Sequence, residues 1–274
     1  MAKSQAEKGA AFKALHERPG CFVMPNPWDV GSARLLEGLG FEALATTSGG
    51  FAFSIGKKDG VGKVSREEML EHARAIIQAT DLPVSADLEN CYAIHPEGAA
   101  QTITEAARVG LVGGSIEDTT ARPDGDPILD FDLSVARVKA AVAAARALPF
   151  HFTLTARAEN FAYGRPDMAD TIRRLLAYQD AGADVLFAPG LRDEKDIKAI
   201  TSAVNLPVNA VINLYTASYT VEKLAALGVK RISSGSSLSR VAYGAFLKAA
   251  EEAKKGSFTF ANDAIPYKNL NARF

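Results

Sequence analysis

Four segments of this sequence carry acidic or small polar residues at points where buried strands are expected to end. They are Thr46–Gly50, Asp87–Glu89, Glu117–Asp118 and Arg157–Asn160. Carboxylates gathered at one place repel one another, so they either take up protons or need a cation to stay ionised. Oxygen ligands without a His or Cys cluster suit a hard ion. The pattern therefore predicts a metal-assisted active site for Mg²⁺, with Mn²⁺ as a substitute.

Zinc fits the sequence less well, because the histidines are spread along the chain. His16 and His72 lie in segments with helical spacing. His95 directly precedes Pro96 at an expected helix start, and His151 begins an expected strand at the barrel face remote from the acids. Each histidine is predicted to be structural rather than a metal ligand.

The segments that position the acids alternate between strand and helix patterns. A helix-ending glycine followed by an apolar strand recurs at Leu39–Ala45, Val109–Ile116, Ala181–Phe187 and Leu227–Ile232. Further strands are expected at Phe22–Pro25, Pro83–Asp87, Phe150–Arg157 and Pro207–Ile212. The intervening segments have helical spacing, as in the stripe of Val135, Val138, Val142 and Ala145.

Eight strand–helix units predict an α/β fold, a closed (β/α)8 TIM barrel. An open doubly wound sheet is the alternative, but Pro25–Asp29 stands where a dinucleotide fold would have Gly-x-Gly-x-x-Gly. Active sites of such barrels lie at the carboxyl ends of the strands, where the acids, Ser48 and Arg157 fall. For any single acid, an N-cap or a loop salt bridge is an equal alternative. Acids on three strands favour one shared site.

The composition fits one compact enzyme domain. The chain has 274 residues, 47% hydrophobic and 23% charged, and a single α/β barrel of about 250 residues would use nearly all of it. The 31 Lys and Arg against 32 Asp and Glu lack the basic excess expected for a nucleic-acid partner. Without an apolar signal core or a long apolar run, no membrane partner and a cytoplasmic location are expected. Cys21 and Cys91 are expected to be reduced thiols.

The ordered motifs of the chain resemble those of the isocitrate lyase/phosphoenolpyruvate mutase superfamily. The matching segments are Ser48–Gly50, Asp59 within Gly56–Gly60, Ala86–Tyr92, Ser115–Asp118 and Thr155–Asn160. Their order and spacing agree with the superfamily over residues 20 to 250. The resemblance implies a barrel in which a divalent metal binds a 2-oxo acid or its enolate.

The resemblance also assigns metal-binding residues. By position, Asp87 is the main carboxylate of the metal shell, and Glu89 and Glu117 support it through water. Asp59 completes the acidic edge and counts among the catalytic residues. The superfamily usually has Asp where this chain has Glu89.

Substrate contacts follow from the same resemblance. Ser48, Gly49 and Gly50 resemble the turn whose backbone N–H groups hold a substrate carboxylate or enolate oxygen. Glycine suits this task because it permits close backbone approach. Arg157 resembles the residue that holds the substrate, and its planar guanidinium can grip a carboxylate at two points. Asn209 is a further candidate for substrate contact, with structural hydrogen bonding as the equal alternative.

The implied activity is that of a lyase or decarboxylase. It cleaves a carbon–carbon bond of a small 2-oxo or 2-hydroxy carboxylic acid through a pyruvate-like enolate. The loop 119–129 lacks the Lys-Cys-Gly-His segment of isocitrate and methylisocitrate lyases and the asparagine of carbon–phosphorus mutases. Thr46 also replaces an aromatic residue of those mutases. The chain most resembles the branch of oxaloacetate decarboxylases, oxaloacetate hydrolases and enzymes of other 2-oxo acids or substituted malates.

Two alternatives to this activity stay open. One is a phosphonopyruvate hydrolase or a mutase-like enzyme of carbon–phosphorus bonds, and the other is a barrel that binds 2-oxo acids without turnover. A Schiff-base aldolase would need a lysine at the carboxyl end of a strand, and the expected strands have none there. The proton donor is not identified, since Arg122, Tyr92 and a metal-bound water fit equally well.

The end of the chain predicts an interface. Residues 1–255 are expected to form the barrel domain, and residues 256–274 a tail that contacts another subunit. Aromatic residues such as Phe258, Tyr267 and Phe274 are separated by polar residues there, and such aromatics commonly anchor interfaces. Relatives in the superfamily exchange their final helix between subunits, so the resemblance implies a homodimer or homotetramer.

Overall fold

The computed structural model describes residues 3–121 and 125–274, and the proton-donor candidate Arg122 lies outside these ranges. The strands are β1 (Phe22–Met24), β2 (Leu44–Ala45), β3 (Val84–Ala86), β4 (Gly113–Glu117), β5 (Thr153–Arg157), β6 (Val185–Phe187), β7 (Val208–Val211) and β8 (Arg231–Ser233). The helices are α1 (Gln5–Glu17), α2 (Val30–Gly38), α3 (Ser48–Ser54), α4 (Arg66–Gln78), α5 (Pro96–Arg108), α6 (Phe131–Arg146), α7 (Met168–Asp180), α8 (Glu194–Ala203), α9 (Val221–Ala226), α10 (Ser237–Lys254) and α11 (Tyr267–Asn271), with a 3-10 helix at Thr259–Asp263.

The strands form one parallel sheet that curls into a barrel. Their order is β1–β8–β7–β6–β5–β4–β3–β2, so strands that follow one another in the chain are neighbours. The edge between β1 and β2 is bridged by the N–H of Ala45, which donates to the carbonyl oxygen of Pro25 at 3.1 Å. This nearly closed ring with alternating helices confirms the predicted (β/α)8 TIM barrel. It excludes the doubly wound sheet, whose strand order reverses at a switch point.

Local signals in the sequence set the helix boundaries. The recurring glycines Gly40, Gly110, Gly182 and Gly228 all have positive φ, from 85° to 108°. This left-handed conformation ends the helix and turns the chain towards the next strand, and residues with a Cβ rarely adopt it. At the other end of a helix, Asp29 accepts the N–H of Ser32 at 2.6 Å. Asp29 therefore caps α2.

Apolar side chains fill the layer between barrel and helices, whereas the interior of the barrel is largely polar. α1 closes the amino-terminal end, where an added Cβ on Gly113 would lie 2.9 Å from the ring of Phe12. Above this plug, buried polar side chains line a central cavity, namely Ser85, Ser115, Thr155, Asn209, Arg231 and Ser233. Branched apolar residues usually fill this space in TIM barrels. This interior is therefore built as a polar cavity rather than as an apolar core.

The last helices are exposed along most of their length. Ser239 is the single buried residue of α10, and Val241 and Phe246 on the same helix are 72% and 65% exposed. In the tail, Tyr267 is 84% exposed. The division into a barrel at 1–255 and a contacting tail at 256–274 stays a prediction. Of the helices in the described ranges, none has both the length and the apolar character needed to cross a bilayer.

Candidate active site

One cavity of about 240 Å³ lies at the carboxyl ends of the barrel strands. Its lining includes most of the predicted site residues, namely Ser48, Gly49, Asp59, Asp87, Arg157 and Asn209. Gly50, Glu89 and Glu117 lie just behind this lining. Glu117 pairs with Arg157, and Glu89 borders an adjacent surface cavity together with Tyr92. The structure thus brings the predicted residues into one region but gives only some of them direct access to the cavity.

The guanidinium of Arg157 is the centre of this region. Its Nη1 lies 2.9 Å from Oδ1 of Asp87 and 2.9 Å from Oε1 of Glu117, and its Nε lies 2.6 Å from Oε1 of Glu159. Its carbon Cζ also lies 4.9 Å from the centre of the Phe187 ring. The predicted substrate-holding arginine therefore binds three carboxylates of the protein itself. Glu159, which the sequence marks only as a strand-end acid, completes this set.

These acids carry more negative charge than Arg157 neutralises. Burial, reinforced by the charges of Asp87 and Asp59, raises the pKa of Glu89 to about 7. Burial also raises the pKa of Glu159 to about 7, against the attraction of Arg157. The pKa of Glu117 lies well above its ordinary value, again because burial outweighs Arg157. Such shifts mark acids whose ionised forms lack sufficient counter-charge.

Added positive charge would relieve this imbalance. Asp87 is well placed to receive a cation, because its side chain lines the cavity, as that of Asp59 also does, and is 20% exposed. Its Oδ2 accepts the N–H of Ser48 at 3.2 Å, and its Oδ1 accepts the hydroxyl of Ser115 at 3.4 Å. Within residues 3–121 and 125–274, no three His, Cys, Asp or Glu side chains form a ready metal cluster. The oxygen-only donor set nevertheless fits Mg²⁺ or Mn²⁺ better than zinc.

The raised pKa values predict that the metal-free protein loses stability as the pH rises from about 4.5 to 7. An acid whose pKa is higher in the folded than in the unfolded chain stabilises the folded state. This stabilisation is complete at a pH below the pKa of the acid in the unfolded chain, here 4.5. That contribution disappears as the pH passes the folded value of about 7. For one acid, the free energy of unfolding falls by about 3 kcal/mol at most.

Urea unfolding in EDTA at pH 5 and pH 8 measures this loss. Glu89→Gln removes the titrating group and should make the free energy of unfolding less dependent on pH. An identical pH dependence in the wild type and in Glu89→Gln would contradict the assignment to Glu89.

The predicted glycine turn is the first turn of a helix. Thr47 caps α3, and its hydroxyl oxygen accepts the N–H of Gly50 at 3.3 Å. The two glycines allow close packing around this turn. An added Cβ on Gly50 would lie 2.6 Å from Cγ2 of Thr47, and one on Gly49 would lie 2.9 Å from Oδ2 of Asp59. The structure therefore places Asp59 directly against the backbone of Gly49.

This close approach predicts the effect of a single methyl group. We expect Gly49→Ala to displace the Asp59 carboxylate and to lower kcat/KM about 10- to 100-fold, because small misplacements of reacting groups have large effects on rate. Gly38→Ala, in α2, is the matched control, since no other atom of the described residues lies within 4 Å of its added Cβ. It should leave kcat/KM unchanged and raise the free energy of unfolding by up to about 1 kcal/mol. Equal kcat/KM values for the two variants would contradict the role of this contact.

The loop after β3 has an unusual backbone. Glu89, Cys91 and Tyr92 have φ values of 48°, 57° and 54°, which residues other than glycine rarely adopt. The hydroxyl of Tyr92 donates to Oε1 of Glu89 at 3.2 Å. Cys91 is fully buried, in agreement with a packing role. Backbone strain of this kind is frequent at functional sites, where surrounding contacts maintain it.

Arg137 supplies such contacts, and sequence reasoning missed it. Its guanidinium donates to the carbonyl oxygens of Asn90, of Ala93 at 3.0 Å and of Glu117 at 2.8 Å. It is 1% exposed, although it lies on α6 beside the apolar stripe. The available signal was an arginine on a helix face that otherwise consists of small or apolar residues, namely Ser134, Val138, Ala141 and Ala145. A helical arginine is normally expected at the surface.

A second set of missed residues lies on α7. Oδ2 of Asp118 accepts the hydroxyl of Tyr178 at 2.7 Å and Nη1 of Arg174 at 3.0 Å. Its Oδ1 accepts the N–H of Glu159 at 2.9 Å. Because Glu159 binds Arg157, this network fixes the position of the central guanidinium. The sequence indicated Asp118 and Glu159 but not their partners on the helix.

Asn209 lies deeper in the barrel than the acids. Its Nδ2 donates to the hydroxyl of Ser233 at 3.0 Å, and its Oδ1 accepts from Nε of Arg231 at 2.8 Å. Asn209 therefore makes structural hydrogen bonds and also lines the cavity. The cavity lining found in the described ranges contains no lysine, which agrees with the absence of a Schiff-base residue at the expected strand ends.

Comparison with known proteins gives a consistent set of matches. Residues 12–254 match the family described as phosphoenolpyruvate phosphomutase. An uncharacterized protein of Mycobacterium tuberculosis (strain ATCC 25618 / H37Rv) is 33% identical over 266 residues, or 96% of this chain and 95% of that protein. An oxaloacetate decarboxylase of Chromohalobacter salexigens is 26% identical over 275 residues, or 99% and 92% of the two chains.

A solved structure agrees with these matches. A crystal structure from Burkholderia cenocepacia J2315, provisionally assigned as a lyase/mutase, is 55% identical and has a TM-score of 0.94. The alignment covers 98% of this chain and 95% of that chain. The family match includes every predicted site residue from Ser48 to Asn209. The comparisons thus confirm the superfamily resemblance that the motifs predicted.

Proposed function

This chain belongs to the phosphoenolpyruvate phosphomutase family, and we propose that it is a Mg²⁺-dependent carbon–carbon lyase or decarboxylase. Its substrate is a small 2-oxo or 2-hydroxy carboxylic acid that breaks down through a pyruvate-like enolate. The observation that carries this proposal is the group of acids around Arg157, because Arg157 and one of these acids, Asp87, line the same cavity as Ser48 and Gly49. The family match agrees with the predicted enzyme, a carbon–carbon lyase of the isocitrate lyase/phosphoenolpyruvate mutase type.

The proposed metal site follows from the charge balance. Asp87 would bind the ion, Glu89 and Glu117 would support it through water, and Asp59 would complete the acidic edge. The raised pKa values of Glu89 and Glu117 support this assignment, because a divalent cation would provide the charge they lack. When bound, Mg²⁺ or Mn²⁺ acts as a Lewis acid that stabilises negative charge on a 2-oxo group and its carboxylate.

The chain's own groups would position the substrate. We assign the developing enolate oxygen to the turn Ser48–Gly50, and within it to the backbone N–H of Gly49, because the N–H groups of Ser48 and Gly50 already donate to Asp87 and Thr47. Preorganised donors of this kind stabilise charge without reorganisation. The ion pairs of Arg157 use its Nη1 and Nε, so we assign the substrate carboxylate to its Nη2. Asn209 would contact the inner part of the substrate. Held between these groups, the carbon–carbon bond beta to the carboxylate is oriented for cleavage.

Product analysis tests this proposal against its alternatives. Pyruvate release is measured from oxaloacetate, dimethylmalate, methylisocitrate and phosphonopyruvate, with Mg²⁺ or with EDTA, after subtraction of uncatalysed oxaloacetate loss. We expect metal-dependent pyruvate from at least one of the three carbon substrates. Phosphate release from phosphonopyruvate alone would favour the hydrolase alternative. Tight binding of 2-oxo acids without any product would favour the non-catalytic barrel.

We further propose that α10 and the tail form a subunit interface. Val241, Phe246 and Tyr267 expose large apolar or aromatic surfaces, and contiguous exposed surfaces of this kind mark interaction sites. Light scattering coupled to size-exclusion chromatography should show a homodimer or homotetramer. Phe246→Asp should reduce the mass, whereas Lys248→Gln, a nearby exposed change, should not. A monomeric wild type would contradict this proposal.

A further inference from the structure

A buried arginine lies at the inner end of the cavity. Arg231, at the start of β8, is 3% exposed yet belongs to the cavity lining. We propose that Arg231 binds a second carboxylate of the substrate, so that the substrate is a dicarboxylate. This inference rests on the proposed function, because it specifies which acids that site accepts.

The contacts of Arg231 are all with neutral groups. Its Nε donates to Oδ1 of Asn209 at 2.8 Å, and its Nη2 donates to the hydroxyl oxygen of Thr155 at 2.9 Å. Its Nη1 lies 3.2 Å from Nε2 of His16. Nδ1 of His16 lies 2.8 Å from the carbonyl oxygen of Phe12 and must donate to it, and Nε2 must accept because a guanidinium can only donate. His16 is therefore neutral, in agreement with burial lowering its pKa to about 3.

Other buried arginines of this chain are compensated differently. Arg157 binds three carboxylates, and Arg174 binds Asp118 and Asp170. Arg137 has no ion pair with a described residue but donates to three backbone carbonyl oxygens. Among the residues that the structure describes, Arg231 has neither an ion pair nor such a set of backbone carbonyl acceptors. Its hydrogen bonds to Asn209, Thr155 and His16 use three of its five N–H groups. A buried charge without a counter-charge is strongly unfavourable, and a bound anion would remove that penalty.

The cavity has the polarity that such an anion requires. Asp87, Ser48 and Arg157 line its outer part, and Arg231 and Thr155 line its inner part. Hydroxyl-bearing residues such as Ser115 and Ser233 form much of the cavity wall, together with apolar residues such as Val211. A molecule with one carboxylate at the proposed metal site can direct a second carboxylate towards Arg231. A monocarboxylate would leave the inner guanidinium without an anionic partner.

Lactate and malate provide a matched pair of probes. Both are 2-hydroxy acids, and malate differs by a second carboxylate. Calorimetric titration of the Mg²⁺-loaded wild type should show that malate binds about 10- to 100-fold more tightly than lactate, the effect of charge-assisted hydrogen bonds to a buried guanidinium. Equal dissociation constants for the two acids in the wild type would overturn the proposal.

Substitution then assigns the preference to the residue. Arg231→Met should remove the preference for malate while leaving the dissociation constant of lactate within about twofold. Arg231→Lys, which keeps the charge, should retain part of the preference and provides the test if Arg231→Met does not fold. Thr153→Val is the control, because Thr153 is a buried polar residue on β5 that does not line the cavity. A full malate preference in both Arg231 variants would overturn the proposal.

Turnover separates this inference from the proposed function. Pyruvate production by a wild type that binds both acids equally would support the lyase and refute the Arg231 site. A malate preference that depends on Arg231, without pyruvate production from any carbon substrate, would support the second carboxylate site and count against the lyase.

Discussion

Replacing Asp87 by alanine will lower turnover of the carbon substrate at least about a thousandfold and will abolish the stabilisation of the protein by Mg²⁺. The proposed metal acts through this carboxylate, and loss of a metal's charge stabilisation removes several kcal/mol, with about 1.4 kcal/mol for each tenfold in rate. Asp87 lines the cavity directly, unlike Glu89 and Glu117. Steady-state kinetics and thermal unfolding with and without Mg²⁺ measure the two effects.

Asp81→Ala is the matched control for this variant. Asp81 is an exposed aspartate that precedes β3, whereas Asp87 follows β3 at the opposite end of the barrel. The control should keep wild-type turnover and the wild-type response to Mg²⁺. If Asp87→Ala retained more than a tenth of wild-type turnover in Mg²⁺, Asp87 would not be the main metal-binding residue.

Arg157→Met should lower the free energy of unfolding of the protein as well as its turnover. The substitution leaves Asp87, Glu117 and Glu159 without the guanidinium that they share. Removal of one partner from a buried ion pair typically lowers the free energy of unfolding by about 3–5 kcal/mol. Because the guanidinium neutralises these acids only when they are ionised, the decrease in the free energy of unfolding should be greater at pH 8 than at pH 5. Urea unfolding at the two pH values measures it.

Turnover and metal response complete the test of Arg157. We expect turnover of Arg157→Met to fall about 100- to 1000-fold, since the substrate loses its carboxylate contact. Added Mg²⁺ should stabilise the variant more than the wild type, because the ion then supplies the missing charge. Arg173→Met is the control, since the Arg173 side chain on α7 is 59% exposed. Stability losses of the same size in both variants would contradict the central role of Arg157.

The positions of the strands followed from local features of the sequence. Gly110 and Gly182 mark helix ends because only a residue without Cβ adopts their positive φ easily, and a strand, β4 or β6, begins shortly after each. The parallel barrel then required Asp87, Glu117 and Arg157 to lie at one end, since parallel strands present their carboxyl ends together. The clustering of the acids was therefore predictable without any knowledge of side-chain contacts.

Contacts between distant segments were not predictable in the same way. Arg137 reads as an exposed helix residue, and its burial depends on the path of the loop after β3, 44 to 47 residues away in the chain. The pairing of Arg157 with three acids also depends on the side-chain geometry of β3, β4 and β5. Arg231 lies in a strand that the sequence predicted, but its charge becomes notable only beside the neutral partners that His16 and Asn209 provide.

Deuterium exchange into pyruvate measures whether the site stabilises a pyruvate-like enolate, whatever the full substrate is. The methyl protons of pyruvate are followed by NMR in D₂O with the wild type, with Asp87→Ala and without protein, each in Mg²⁺ and in EDTA. We expect exchange that is faster than in the protein-free Mg²⁺ control only for the wild type and only with Mg²⁺. Exchange no faster than this control, in a wild type that binds pyruvate and Mg²⁺, would contradict this expectation.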